Sequence, residues 1–314
     1  MQSIIETLRK FFTSPKNNML VAMIVMVILL LILQYTRRNI KYEGFQQKEP
    51  FVTESGAKVY DAFYAEIYDR LHKTESRAEK ETMQIIEATQ PDKENSAFLD
   101  IGCGTGCAVD VLKRNGYNAV GVDQSVAMIE VGKERRSAAC GNSLSVGDAM
   151  DPLLFERGVF SHILCLERTI YEFVDKVAFF RNCKHWLRPG GYLVLHLVEP
   201  TKYNAIVPLG KPDGFGAIQV ETIDGKRVTD TAIDFVDFKY KSSYDFSDLK
   251  TGVVTQTETF TDSASNSVRR NEHTLHMSEP TPILEDARYC GFLMMGVFVR
   301  EDDAHQKVYI LKAL

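Results

Sequence analysis

Residues 97–106 read Ala-Phe-Leu-Asp-Ile-Gly-Cys-Gly-Thr-Gly, and nothing else in the 314 residues restricts the fold as tightly. A stretch as apolar as AFLDI, broken only by Asp100, suits a strand covered on both faces, the usual state of a strand in a parallel sheet. Three glycines at alternate positions then allow a turn whose backbone can approach a bound molecule closely. The chain beyond the turn keeps alternating between helix and strand. A helical pattern spans 106–114, NAVGVD (118–123) reads as a strand, and 125–136 as a helix. LSVGD (144–148), SHILCL (161–166) and GYLVLHLV (191–198) read as further strands, with a helix over 176–187 closed by Pro189-Gly190. Strand and helix in alternation predict an α/β fold, a doubly wound and mostly parallel sheet with helices on both faces.

Other segments flank this core. Tyr60, Phe63, Tyr64, Ile67, Tyr68 and Leu71 recur at helical spacing from Gly56 onward, and a second amphipathic stretch runs over 75–89. Between about 200 and 280 the helical period disappears. AIQVET, TAIDFVDFKYKSSYDF and GVVTQTETF are rich in β-branched and aromatic residues and predict an antiparallel β insertion. A helix over 281–290 and the strands GFLMMGVFV and KVYIL complete the pattern.

The N-terminus is of another kind. MLVAMIVMVILLLIL (19–33), extended by Gln34 and Tyr35, has no polar face, and Arg37, Arg38 and Lys41 come after it. It predicts one transmembrane helix over 19–35, and the absence of small residues at its exit disfavours a cleaved signal peptide. Ile4, Ile5, Leu8, Phe11 and Phe12 within 1–18 suit an interfacial segment. Residues 36–55 read as a linker, and 56–314 as one domain with 200–280 as its insertion.

Charge and cysteine content narrow the function. Forty-two acidic residues against 37 basic give a net charge of −5, without the basic excess of a nucleic-acid-binding surface. The six cysteines form no CxxC pair and no zinc-ligand spacing, so no metal is expected. They read as small apolar residues of a reducing compartment.

The glycine loop carries the chemistry. Gly102, Gly104 and Gly106 are spaced GxGxG rather than GxGxxG, and Asp100 stands two residues before the first. Pyrophosphate wants bare backbone N–H groups, whereas a cationic amino-acid moiety accommodates a carboxylate nearby. Asp123 ends the next strand about 20 residues on, where a carboxylate can take both hydroxyls of a ribose, and Gly147-Asp148-Ala149 comes after the third strand. On these residues the chain resembles the class I S-adenosylmethionine-dependent methyltransferases, in particular their small-molecule group. The resemblance covers about 56–314 and implies a seven-stranded sheet and S-adenosyl-L-methionine as donor. It further implies Gly102, Gly104 and Gly106 at the methionine part with Asp100 organising the amine, and Asp123 at the ribose. Asp148 and Ala149 would sit at the adenine, Met128 would pack on it, and Leu166 would line the same cleft.

For the acceptor, the resemblance points to Leu166-Glu167-Arg168-Thr169-Ile170-Tyr171, the stretch after the fourth strand. Glu167 and Tyr171 are catalytic candidates and Arg168 a substrate contact. His196 near the end of the fifth strand is a candidate base, with Glu199 just beyond it as a further contact. Tyr64 is expected to meet either the donor carboxylate or the acceptor. Arg269, Arg270, His273 and His276 in a late strand would reach the acceptor if the insertion covers the pocket, and otherwise read as a solvated face. The reading that results is a membrane-anchored methyltransferase acting on a small-molecule or lipid-like acceptor, most simply an amine; the alternatives are an O- or C-methyltransferase of a quinone or lipid and a catalytically silent S-adenosylmethionine-binding scaffold. Its domain should face the cytosol, where the donor is made.

Overall fold

The computed structural model describes residues 23, 25–30, 49–72, 74–205, 228–300 and 303–314. The chain divides into two units, 1–42 and 43–314. In the first, residues 23 and 25–30 are helical and their apolar side chains are exposed. The rest of the predicted span 19–35, the segment 1–18 and the linker up to residue 48 lie outside the described residues. Among the described residues no helix is long and apolar enough to cross a membrane.

The second unit holds two sheets. The larger contains β2 (Ala97–Ile101), β3 (Asn118–Asp123), β4 (Leu144–Val146), β5 (Phe160–Cys165) and β6 (Leu187–Val198), joined near the C-terminus by β11 (Phe292–Val299) and β12 (Gln306–Ala313). Their order is β11-β12-β6-β5-β2-β3-β4. Every neighbouring pair from β6 to β4 is parallel, and β12 alone runs against the rest. All five residues of β2 are buried, as its apolar run requires. Helices α3 (Cys107–Arg114), α4 (Val126–Arg135), α5 (Ala138–Gly141), α6 (Lys176–Trp186) and α7 (Pro280–Tyr289) lie in the connections. α1 (Ala62–His72) and α2 (Thr74–Thr89) precede the sheet. Apolar clusters form on both faces, one around Phe179, Trp186 and Leu195 and the other around Phe98, Leu112 and Val194. This is the predicted doubly wound α/β architecture.

The smaller sheet is the β insertion, made of β7 (Asp230–Asp234), β8 (Phe238–Asp245), β9 (Val253–Asp262) and β10 (Val268–His276), in the order β10-β9-β8-β7 with a fifth strand beside β10. AIQVET falls outside the described residues. The fifth strand, β1 (Phe51–Ser55), corrects the sequence reading, which ended the linker at residue 55. It pairs in parallel with β10 from Phe51↔Val268 to Ser55↔Glu272. Regular structure in the second unit therefore begins ahead of the N-terminal helix, with a strand that joins the sheet of the insertion.

Candidate active site

Strands β2 to β5 end on one edge of the large sheet, where backbone groups left unpaired by the ladder face a crevice, the usual ligand position in open α/β sheets. Here the crevice is a cavity of about 380 Å³. Its floor is Ile101, Gly102 and Gly104 at the end of β2, Asp123 and Ser125 at the end of β3, Gly147 and Ala149 after β4, and Glu167 to Thr169 after β5. Tyr60, Tyr64, Tyr68 and His72 form one wall, and Gln256, His273, Thr274 and Leu275 of the insertion form the roof.

Two glycines are required for different reasons. Gly102 has φ +66°, and a Cβ there would stand 2.4 Å from Thr169 Cγ2, so only glycine lets the β2 and β5 loops close on each other. Gly106 has φ +78° and caps α3; a Cβ would meet Leu144 Cδ1 at 2.7 Å. Gly106 is not among the residues lining this cavity, and its left-handed backbone shapes the helix start.

Asp123 is fixed by two backbone donors, Gly104 N to Oδ2 at 2.9 Å and Ser125 N to Oδ1 at 2.8 Å. A carboxylate held this way at the cavity floor suits a diol. Met128 lies beneath the floor with its N–H donating to the Ser125 hydroxyl. Ala149 lines the cavity, while Asp148 is exposed beside it, accepting from Gln124 Nε2 and Met150 N.

A smaller pocket of about 50 Å³ opens behind Gly102 and Gly104, lined by Asp100, Leu166, Glu167, Arg77, Thr74 and Tyr68 among others. Burial, with the charges of Asp123 and Glu167, pushes the Asp100 carboxyl up to about 8. Arg77 Nη2 lies 2.8 Å from Glu167 Oε2. One buried acid, one cation and one further carboxylate together match the ammonium and carboxylate of an amino-acid moiety. Glu167 and Arg168 both have positive φ, a conformation uncommon for residues with a Cβ that turns both side chains into the cavities. The Arg168 guanidinium is spent on Tyr244, Nη1 to Oη 2.7 Å.

Three sequence candidates lie elsewhere. Tyr171 is fully buried, and its hydroxyl is taken by the backbone of Val198, accepting from N at 2.9 Å and donating to O at 3.3 Å. Its 3-10 turn rotates it into the core rather than the cavity. His196 is 1% exposed and faces the buried side of β6. Neither ring nitrogen meets a well-aligned partner among the described residues, and burial, with Arg300, Arg168 and Arg77 nearby, holds it well below the usual histidine range. Glu199 lies outside the cavity and is claimed by Lys307 at 2.7 Å, Lys202 at 3.1 Å and His305 at 3.2 Å.

The roof supplies what these do not. Glu258 is wholly buried, yet His273 Nε2 lies 2.8 Å from Oε2, and the hydroxyls of Tyr240 and Tyr64 donate to Oε1 at 2.6 and 3.1 Å. Burial alone would raise this carboxyl, but His273, His72 and Tyr240 bring it down to about 2. The Tyr64 hydroxyl also lies 3.3 Å from His72 Nε2, and burial first, then Arg77, holds His72 neutral, at about 3. Tyr64 thus reaches the cavity as expected, bound into this network. His273 and Arg269, read as solvated, are 5% and 3% exposed, Arg269 pairing with Asp61 at 2.7 Å. Arg77, His72 and Glu258 went unseen. A glutamate in phase with Val254 and Phe260 on β9 was the one available signal. Among the described residues no group of three His, Cys, Asp or Glu could hold a metal ion.

Comparison with known proteins agrees with this geometry. Residues 99–195 match the family model described as "Methyltransferase domain". A magnesium-protoporphyrin O-methyltransferase of Rhodobacter capsulatus is 31% identical over 30% of this chain and 43% of its own length. A dTDP-4-amino-2,3,4,6-tetradeoxy-D-glucose N,N-dimethyltransferase of Saccharopolyspora spinosa is 28% identical over 44% and 56%. The matched region spans about half the length of these curated relatives. The CcbJ methyltransferase of Streptomyces caelestis superimposes with a TM-score of 0.60 at 16% identity, covering 82% of this chain and 99% of that one. Streptomyces venezuelae DesVI gives 0.57 at 17%, covering 81% and 100%. Fold and cavity define a doubly wound α/β domain with an open crevice at its strand ends. Residues 99–195 thus carry a methyltransferase domain, and the chain is similar to S-adenosylmethionine-dependent methyltransferases. S-adenosyl-L-methionine is the cofactor that goes with this domain, and the residues fit it: Gly102 leaves the space a Cβ would fill, and Asp123 offers a fixed carboxylate.

Proposed function

We propose that this protein transfers a methyl group from S-adenosyl-L-methionine to a small-molecule amine, with its domain held at the cytosolic face of a membrane by residues 19–35. The observation that carries the reading is the cavity itself. One side is the glycine loop with Asp123; the other is a cage of Tyr60, Tyr64, Tyr68, His72 and His273 with the carboxylates of Glu167 and Glu172 at its edge. Ring faces and carboxylates favour a cationic amine over an anion, and the lining cation Arg168 is already bonded to Tyr244. When bound, the donor supplies an electrophilic methyl carbon on a sulfonium leaving group. The protein's own work is alignment and exclusion of water, for which the insertion roof is placed. The curated relatives include an aminosugar N,N-dimethyltransferase and a phosphoethanolamine N-methyltransferase of Triticum aestivum, which support an amine.

A second reading, an O- or C-methyltransferase of a quinone or lipid, is favoured by the apolar run 19–33 and by similarity to a ubiquinone biosynthesis O-methyltransferase of Chelativorans. The full chain in detergent, given methyl-labelled donor and a panel of amines, catechols and demethylated quinols, separates the two. Label on amines supports the first reading, label confined to catechols or quinols the second, and label on none sinks both. Recovery of the intact chain in the soluble fraction without detergent would remove the anchor.

A further inference from the structure

Resting on the amine reading, we infer that His273, held by the buried carboxylate of Glu258, is the base that takes the proton from the acceptor nitrogen. An amine enters as an ammonium and has no lone pair until that proton leaves, so a base must lie in the acceptor half of the cavity. Glu258 is completely buried and accepts from Tyr240, Tyr64 and His273. Its bond to His273 Nε2 fixes the tautomer: Nε2 carries the hydrogen and Nδ1 keeps a lone pair. His273 lines the cavity, and among the described residues no protein group bonds its Nδ1.

The elements packed around the ring support that assignment. Tyr60 and Tyr64 pack edge-on or tilted against it at centroid distances of 5.6 and 6.0 Å. The titratable groups facing it are Glu258 from β9, Tyr240 from β8, Tyr60, Tyr64 and His72 from α1 and the turn before it, and Glu172 from the turn after β5. Burial holds the tyrosines and His72 uncharged, so the carboxylate is what compensates an imidazolium. The proton passes from the acceptor N–H to His273 Nδ1, and the N–H electron pair stays on nitrogen. That pair forms the new bond to the methyl carbon as the carbon–sulfur bond breaks, its electrons remaining on sulfur. The products are a methylated ammonium, a neutral thioether and an imidazolium beside Glu258. Glu258 acts as the positioning residue.

The test uses the full chain. Diethyl pyrocarbonate carbethoxylates unprotonated, accessible imidazole nitrogens, and mass spectrometry of the folded chain should find His273 modified, with the sheet-buried His162 and His196 spared. Turnover is then measured against pH with phosphoethanolamine, a thymidine-diphosphate 4-aminosugar and benzylamine. His273→Gln keeps a donor toward Glu258 and deletes the Nδ1 lone pair. It should retain affinity for S-adenosylhomocysteine, lower turnover about a hundredfold or more, and change the pH profile of the rate. Glu258→Gln should lower turnover and alter that profile while leaving KM nearly unchanged. His273 unmodified by the reagent, or His273→Gln with the unaltered rate and pH profile, overturns the inference. Absence of transfer to every amine by the unaltered chain overturns the amine reading, and the inference with it. Should His273→Gln fail to fold, Glu258→Gln and the modification pattern decide.

Discussion

Replacing Gly102 by alanine tests whether the β2 and β5 loops are locked together at the cavity floor. The backbone there is left-handed at φ +66°, where a Cβ costs roughly 1–2 kcal/mol. The new methyl would also stand 2.4 Å from Thr169 Cγ2 and 2.9 Å from Oγ1. Overpacking of this kind costs about 1–3 kcal/mol. Together Gly102→Ala should destabilise by about 2–5 kcal/mol, and at about 2–4 °C per kcal/mol lower Tm by roughly 4–20 °C. The two contributions separate in a double-mutant cycle with Thr169→Ala, which removes both close atoms and leaves Cβ at 3.2 Å. Calorimetric melting of the four proteins should return a favourable coupling of about 1–3 kcal/mol, the backbone cost remaining. Strictly additive melting shifts, or a Gly102→Ala protein as stable as the original, would refute the account of how these loops meet.

Asp123→Ala removes a charged acceptor and should weaken S-adenosylhomocysteine binding by about 1.5–3 kcal/mol in calorimetry; unchanged affinity would show that the ribose is held elsewhere. Asp100 keeps its proton in the folded protein up to about pH 8, whereas the unfolded chain loses it near pH 4. The folded state therefore binds more protons across that window, and this group subtracts stability as pH rises from about 4 to 8. Asp100→Asn should flatten the dependence of Tm on pH there, and a curve that stays as steep would assign the slope to other groups. His196→Leu should leave turnover intact and stability equal or higher, because two ring nitrogens without well-aligned partners are removed from the core. A lost acid limb in that variant would restore His196 as a base.

The sheet was legible because its signals are local. AFLDI is apolar at nearly every position, and the GxGxG turn with Asp123 beyond it lies within about one strand–helix–strand unit, so neighbours in sequence are neighbours at the site. Position at a strand end tells which edge of the sheet a residue occupies, but not which face it points to. His196 stops two residues short of the end of β6, opposite Val308 of β12, and is sealed in the core. Tyr171 comes after the right strand, yet its turn directs it to Val198. The roof was illegible for another reason. Along Val253–Asp262 both alternating sets contain polar residues, so the period of two does not reveal which set is buried. That became decidable only when β10 brought His273 opposite Gln256. β1 was hidden in the same way, its partner lying near the other end of the chain.

That first strand has a mechanical consequence. Phe51–Ser55 lies in register along Val268–Glu272, and the next residue of β10 is His273. A pull applied through the segment before residue 49 would load those five residue pairs in shear, along the strands, instead of peeling them one at a time. Shear divides a load among bonds, so the sheet edge would resist it well and pass the force into β10. Tension at the N-terminus would therefore reach His273 before it reached the glycine loop and Asp123.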